Sequence, residues 1–158
     1  MAPRWADAAM QLAVRVAACK ADAEDAVQEA LASLWQRRES VSHEKGQSYL
    51  MSSTYRQLMS LFRHRTVERS FAAEVQADAT GALPPDEGFD LRDAMERALR
   101  MLPEAQRAVL QLRDVEGYSY AEIGETLGLD TDRVQVYLFR ARVAMRKQLI
   151  NMGYGNNQ

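Results

Sequence analysis

At 158 residues the chain has room for one ordinary domain or two very small ones, which excludes large multidomain machinery. Apolar residues make up 47% and charged residues 27%, as in soluble globular proteins, while 20 Lys and Arg against 22 Asp and Glu leave a net charge of -2, so any basic site must be local. One cysteine, Cys19, and two histidines, His43 and His64, exclude a structural zinc site and an intramolecular disulfide and suit a reducing, cytoplasmic compartment.

Ala, Leu, Arg, Glu, Gln and Met dominate, and no run alternates over strand length, so the chain is expected to be all-α. A first helix is expected over about Trp5–Ala18. Its apolar part, Ala8 to Cys19, is broken by Arg15 and preceded by Asp7, which makes a poor signal-peptide core and is too short to span a bilayer. A second helix, about Asp22–Arg37, opens with Asp22, Glu24 and Asp25 at the positive end of its dipole and places Ala23, Val27, Ala30, Leu31, Leu34 and Trp35 on a buried stripe. A third, about Gln47–His64, interleaves Tyr49, Tyr55 and Phe62 with Arg56 and Arg63, and Arg65 and Arg69 follow. Rings beside cations suit melted or single-stranded nucleic acid, though aromatics at helical spacing are also common core residues.

The segment from Ala77 to Asp93 breaks the pattern, with Gly81, Pro84, Pro85 and Gly88 and five acidic residues against one basic. It reads as an acidic, flexible linker, and a lobe of faintly positive charge lies on either side. Neutralising Asp78, Asp86, Glu87 and Asp90 would test whether this tether shields the basic faces. Helices are then expected over about Leu91–Met101, from Pro103 at a first-turn position to about Val115, over about Ser119–Leu127, and from near Asp130 to about Ile150.

YAEIGETLGLDTDRVQVYLFRAR has the form of a helix-turn-helix: Ile123 and Leu127 face inward, Gly128 supplies the positive φ of the turn, and Asp130 or Thr131 caps the second helix. Val134, Leu138, Ala141, Met145 and Leu149 form its apolar stripe, and from Arg133 to Lys147 there are five basic residues and no acidic one. Such a second helix enters the major groove N-terminus first, so Thr131, Arg133, Gln135, Val136 and Tyr137 are candidates for base edges, with Arg140 and Arg142 nearer phosphates. A packed helical hairpin with a solvated arginine face is the plainer alternative. No Gly-rich phosphate loop, metal-ligand cluster or nucleophile elbow appears, so neither catalysis nor a cofactor is expected.

Two small helical lobes, an acidic tether and a C-terminal helix-turn-helix together resemble the group 4, extracytoplasmic function (ECF) sigma factors of the bacterial sigma-70 family. DAEDAVQEALASLW, Asp22 to Trp35, is similar to the region 2 helix that grips the β′ clamp helices of RNA polymerase. The resemblance implies core-enzyme contacts at Asp25, Gln28, Glu29 and Trp35. LPEAQRAVLQLRDVEGYSYAEIGETLGL with FRAR resembles region 4, which reads the -35 element and meets the β flap. YLMSSTYRQLMSLFRHR falls where the family melts the -10 element. With the loop before it, it implies -10 contacts from Arg37, Arg38, Tyr49, Tyr55, Arg56, Arg63 and Arg65.

In this chain Tyr49 stands for a common Trp, Arg56 and Ser60 for a usual Asn and Asp, and Gly124 for a usual Ala. The resemblance divides the chain into a region 2-like domain (1–72), a linker (73–93) and a region 4-like domain (94–152). It implies an alternative sigma factor working with core polymerase and promoter DNA, and held by an anti-sigma factor, soluble or membrane-bound, without inserting into a membrane itself. Two rivals carry less of the chain: a sigma-fold decoy that sequesters an anti-sigma factor, and a plain helix-turn-helix regulator.

Overall fold

The structure is a computed structural model and describes the backbone of residues 2–71 and 90–154, with side chains over 4–64 and 90–154. Among the described residues there is no strand, and no helix is long and apolar enough to cross a membrane. The first lobe holds α1 (Ala2–Val16), α2 (Lys20–Gln36), a 3₁₀ turn (His43–Lys45) and α3 (Gly46–Phe71); the second holds α4 (Leu91–Arg100), α5 (Glu104–Leu110), α6 (Tyr120–Leu127) and α7 (Thr131–Asn151). Up to residue 89 the expected linker lies outside the described residues. Its last three residues are helical, as the helix expected from about Leu91 requires, because the Asp90 carboxylate accepts from the Asp93 amide at 3.0 Å and caps α4 there.

In the first lobe α1, α2 and α3 bury Leu12, Val16, Val27, Leu50, Met51 and Leu58 among a set of alanines: Ala9, Ala13, Ala23, Ala26 and Ala30. Small side chains on two of three helices let their axes close up, so the long residues of α1 and α3 fill the middle. α3 runs seven residues beyond His64. On α2 the expected stripe holds at Ala23, Val27 and Ala30, and Leu31 and Leu34 are half-buried, but Trp35 is 66% exposed. The ring lies on the surface under the Arg38 guanidinium, which is 4.2 Å from its centroid and covers one face of it.

The second lobe packs Val109, Leu112, Ile123, Leu127, Val134, Leu138 and Ala141. Pro103 is the N-cap of α5 rather than a first-turn residue. The expected helix to Val115 is not uniform, since α5 gives way at Gln111 to a π-helical stretch, Gln111–Val115, which widens the last turn before Gly117 (φ 76°) reverses the chain. Thr131 is the first residue of α7 and Asp130 its cap.

The lobes pack on one another along a seam made by α1 against α5 and α3 against α6. At the α1 end four successive carbonyls accept from two arginines of the second lobe: Arg100 donates to Val14 and Ala17, both at 2.8 Å, and Arg107 to Arg15 at 3.0 Å and Val16 at 2.6 Å. Arg107, only 6% exposed, also donates to the Leu102 carbonyl at 2.5 Å, and burial pulls its guanidinium below its usual pKa. Arg15 reaches back to Gln111 at 3.1 Å and to Glu96 at 3.0 Å. At the α3 end Ser52 donates to the Thr126 carbonyl at 3.0 Å and Gln47 to the Tyr118 hydroxyl at 3.4 Å.

Tyr55 of α3 is buried at the same seam, where Glu104 and Tyr137 of the second lobe act on it electrostatically, and burial, the largest cause, pushes its phenol up to about 12. Since the neutral phenol is the buried form, its contribution is intact below pH 10 and is lost as the pH rises toward 12. A shift of about two units corresponds to up to roughly 3 kcal/mol. Urea unfolding at pH 8 and pH 11 should therefore show a loss that is smaller in Tyr55→Phe, and equal losses in the two proteins would refute the assignment.

Candidate nucleic-acid interface

α6 and α7 are each started by a side-chain cap. Ser119 accepts from the Glu122 amide at 3.1 Å while the Glu122 carboxylate accepts from the Ser119 amide at 2.8 Å, and the Asp130 carboxylate accepts from the Arg133 amide at 2.8 Å. Between them Gly128, at φ 77°, ends α6, and the amides of Gly128 and Leu129 both donate to the Gly124 carbonyl, at 2.8 and 2.9 Å. The turn folds so closely over α6 that a Cβ on Gly124 would collide with the Leu129 carbonyl. Gly124→Ala, which by helix propensity alone would gain about 1 kcal/mol, is therefore expected to destabilise the second lobe by roughly 1–2 kcal/mol, because the carbonyl is backbone and cannot step aside. A thermal melt showing a gain would contradict this.

α7 turns Val134, Leu138 and Ala141 inward, with Met145 and Leu149 half-buried, as its stripe requires. Thr131, Arg133, Gln135, Val136 and Arg140 are exposed on the N-terminal half of α7, and Asp132, Arg133, Val136, Tyr137 and Arg140 line a shallow cleft. Among the described residues neither Arg133 nor Arg140 is held in an ion pair, so both cations face solvent uncompensated. Tyr137 is half-buried toward the seam. Arg142 points away from this group and pairs with Asp114 at 2.6 Å. Phe139, absent from the sequence-derived set, is 68% exposed on the same outer face as Val136 and Val143; the 136, 139, 143 spacing, a second apolar stripe outside the core one, was the signal for it.

On α2, Asp25, Gln28 and Glu29 are exposed one turn apart, and Trp35 lies two turns below Gln28 on the same face. Arg37 and Arg38 are exposed beyond it, with Arg38 also donating to the Trp35 carbonyl at 2.8 Å. Half-buried Tyr49 shares a 2.7 Å hydrogen bond with Ser33 that ties α3 to α2 and holds its phenol below the usual value. Exposed Arg56 lies two turns on, within 3.3 Å of the Ser53 hydroxyl, and Arg63 is exposed two turns further. Tyr55 is not part of this surface: it is 8% exposed, facing the seam. The side chain of Arg65 lies outside the described residues.

The family profile for sigma-70 region 2 matches residues 3–67, and that for sigma-70 region 4 matches residues 92–145. The chain belongs to the sigma-70 family. Named relatives are ECF sigma factors: SigE of Mycolicibacterium smegmatis, 30% identical over 91% of this chain; SigW of Bacillus subtilis, 34% over 47%; and SigF of Caulobacter vibrioides, 27% over 85%. The chain spans 58%, 41% and 75% of their respective lengths. In fold it is similar to the sigma factor RpoE of Bartonella quintana, solved in complex with the anti-sigma factor NepR, with a TM-score of 0.77, 22% identity and 94% of each chain covered.

Region 2 is thus the first lobe and region 4 the second, and α6 and α7 are the helix-turn-helix of this ECF sigma-70 member. Region 4 also carries a groove not anticipated from the sequence. It is about 430 Å³ in volume, and Met95, Leu99, Leu110, Val115, Met145 and Leu149 line its apolar floor. The exposed Met95, Val115 and Ile150 could have signalled it, since each lies on an otherwise amphipathic helix.

Proposed function

We propose that this chain is an alternative RNA polymerase sigma factor that brings core polymerase to promoters by reading the -10 and -35 elements. It makes and breaks no covalent bond and needs no cofactor. The observation that carries the reading is a capped helix-turn-helix whose second helix presents Arg133, Gln135, Val136, Phe139 and Arg140 outward, on a chain whose other lobe matches region 2. Arginine can pair with guanine edges or phosphates, Gln135 with adenine, and the apolar Val136 and Phe139 with thymine methyl groups.

In the first lobe we assign Asp25, Gln28, Glu29 and Trp35 to the β′ clamp helices, and Arg37, Arg38, Tyr49, Arg56, Arg63 and Arg65 to -10 DNA. Tyr55 would join them only once the seam opens. In the second, Thr131 and Tyr137 complete the -35 set. Arg142 can reach a phosphate only by giving up Asp114, and the apolar groove is the surface suited to the β flap. The domains would be 1–72, 73–93 and 94–152, acting in the cytoplasm, with an anti-sigma factor, membrane-bound or soluble, as the restraining partner. Joining two weak sites through a tether raises the effective concentration of the second once the first is engaged.

Run-off transcription with purified bacterial core polymerase, on fragments that include the chain's own upstream region, tests the proposal. Transcripts that disappear when the protein is omitted are expected. Stable core binding without transcripts would favour the decoy, for which Arg56 and Ser60 are the argument, and absence of core binding would favour a plain regulator.

A further inference from the structure

Tyr49, Ser53 and Arg56 stand at steps of four and three along α3, so they share one face of that helix. Ser33 and Arg37 stand four apart at the end of α2, where Arg37 is the C-cap. The two sets meet at the Tyr49 hydroxyl. It lies 2.7 Å from the Ser33 hydroxyl and also bonds to Ser53, whose hydroxyl accepts from the Arg56 guanidinium at 3.3 Å. Ser53 is 5% exposed, so its hydroxyl needs partners within the protein, and Tyr49 and Arg56 supply them.

Arg37 and Arg56 both act electrostatically on the Tyr49 phenol. Both are exposed, and among the described residues neither is held in an ion pair. Two cations brought to one hydroxyl from opposite helices repel each other until an anion sits between them. A phosphate suits that place, since its oxygens accept from both guanidinium forks. The Tyr49 ring is half-buried and its hydroxyl is engaged by Ser33 and Ser53, which keeps the ring from swinging out to stack on a base.

We infer that Ser33, Tyr49 and Ser53 form a relay of hydroxyls that sets Arg37 and Arg56 as a two-armed clamp on one phosphate of the melted -10 strand. Tyr49 is then a positioning residue that touches no base. Its hydroxyl and the Arg56 fork, each a departure from the family pattern, work as one unit through Ser53. The inference rests on the proposed function for the identity of the strand, but the clamp itself is measured without polymerase.

The test is fluorescence anisotropy of two labelled single strands of about 12 nucleotides, one of mixed sequence and one whose bases are replaced by abasic sites. The full-length protein carries Arg133→Ala and Arg140→Ala throughout, so that α7 contributes little. Arg56→Ala is expected to weaken both strands by about five-fold and to lower the salt slope by about 0.7, and Arg37→Ala should do the same. Tyr49→Phe keeps the ring and removes only the hydroxyl. It is expected to weaken both strands by about three-fold or more, and adding it to Arg56→Ala should change affinity by less than about two-fold. Tyr49→Trp offers a larger stacking ring but no acceptor for the serines, and should also weaken binding. Ser53→Ala leaves the Ser33 to Tyr49 bond in place, is expected to match Tyr49→Phe, and decides the matter if Tyr49→Phe loses helicity.

Unchanged binding by Arg56→Ala would overturn the clamp, as would failure of the parent protein to bind either strand. So would tighter binding by Tyr49→Trp, additive losses in the double variant, or losses confined to the strand that carries bases, which would make Tyr49 a stacking platform or Arg56 a base reader. Variants that behave as expected, in a chain that yields no promoter transcripts with core polymerase, would uphold the clamp and sink the proposed function. Transcripts from the wild-type chain with no effect of Arg56→Ala on either strand would do the reverse.

Discussion

Arg107→Ala is expected to lower the thermal midpoint of the full chain by roughly 6–12 °C. The guanidinium is 6% exposed and gives hydrogen bonds to three carbonyls, those of Leu102, Arg15 and Val16, so truncation strips a donor from each of them in a site with little room for water. Charge-assisted bonds of this kind contribute about 1.5–3 kcal/mol each at most and are not additive, which puts the combined loss near 3 kcal/mol. At about 2–4 °C per kcal/mol for a chain of this size, the shift follows. Circular dichroism melts would read it directly. A midpoint within about 2 °C of wild type, under the loss of even 1 kcal/mol, would mean that the arginine is not a keystone of the seam.

The other large effect is on affinity. Replacing Arg133 and Arg140 together by Ala should weaken recognition of a -35 duplex by polymerase carrying this chain by about 30-fold or more, since a base or phosphate contact from arginine contributes on the order of 1–3 kcal/mol. Both side chains face solvent outside the core of α7, so helicity and the attachment of region 2 to core polymerase should be unchanged. Fluorescence anisotropy with a labelled duplex, alongside pull-down of core enzyme, separates the two. Loss of core attachment along with DNA binding would point to unfolding, and no loss of affinity would move the -35 surface elsewhere.

The elements most legible in the sequence were those whose ends carry their own chemistry. Asp130 and Gly128 mark the helix-turn-helix by local chemistry, and the structure keeps both marks, while the reciprocal Ser119–Glu122 cap emerged only from the structure. The stripe Val134, Leu138, Ala141 was equally readable because one helix face against one core suffices to explain it. Trp35 shows where such reasoning stops. It continues the apolar period of α2, yet it is exposed and stacked under Arg38, a cation beyond the end of the helix. Tyr55 errs the other way, an aromatic among arginines that looks ready for a base but is covered by a lobe whose position no local pattern encodes. The π-helical stretch Gln111–Val115 lacked any signal in residue spacing. Gly124 departs from the family's usual Ala, and only the structure supplies the reason, the Leu129 carbonyl pressed against it.

The acceptors that Arg100 and Arg107 seek at the end of α1 are main-chain atoms, and every residue type supplies the same one. Substitutions along α1 that preserve the helix therefore cannot erase those four acceptors, although the Arg15 side chain has its own pairs across the seam to lose. For these four bonds the heritable control lies at two positions in the second lobe, where exchange of one arginine for lysine would trade a fork of donors for a single swivelling point charge. These main-chain bonds would leave no pairwise covariation between the lobes, unlike the side-chain pairs that Arg15 makes with Glu96 and Gln111. Their strength could be retuned among related proteins by exchanging one side chain, with no matching change needed at the carbonyls it meets.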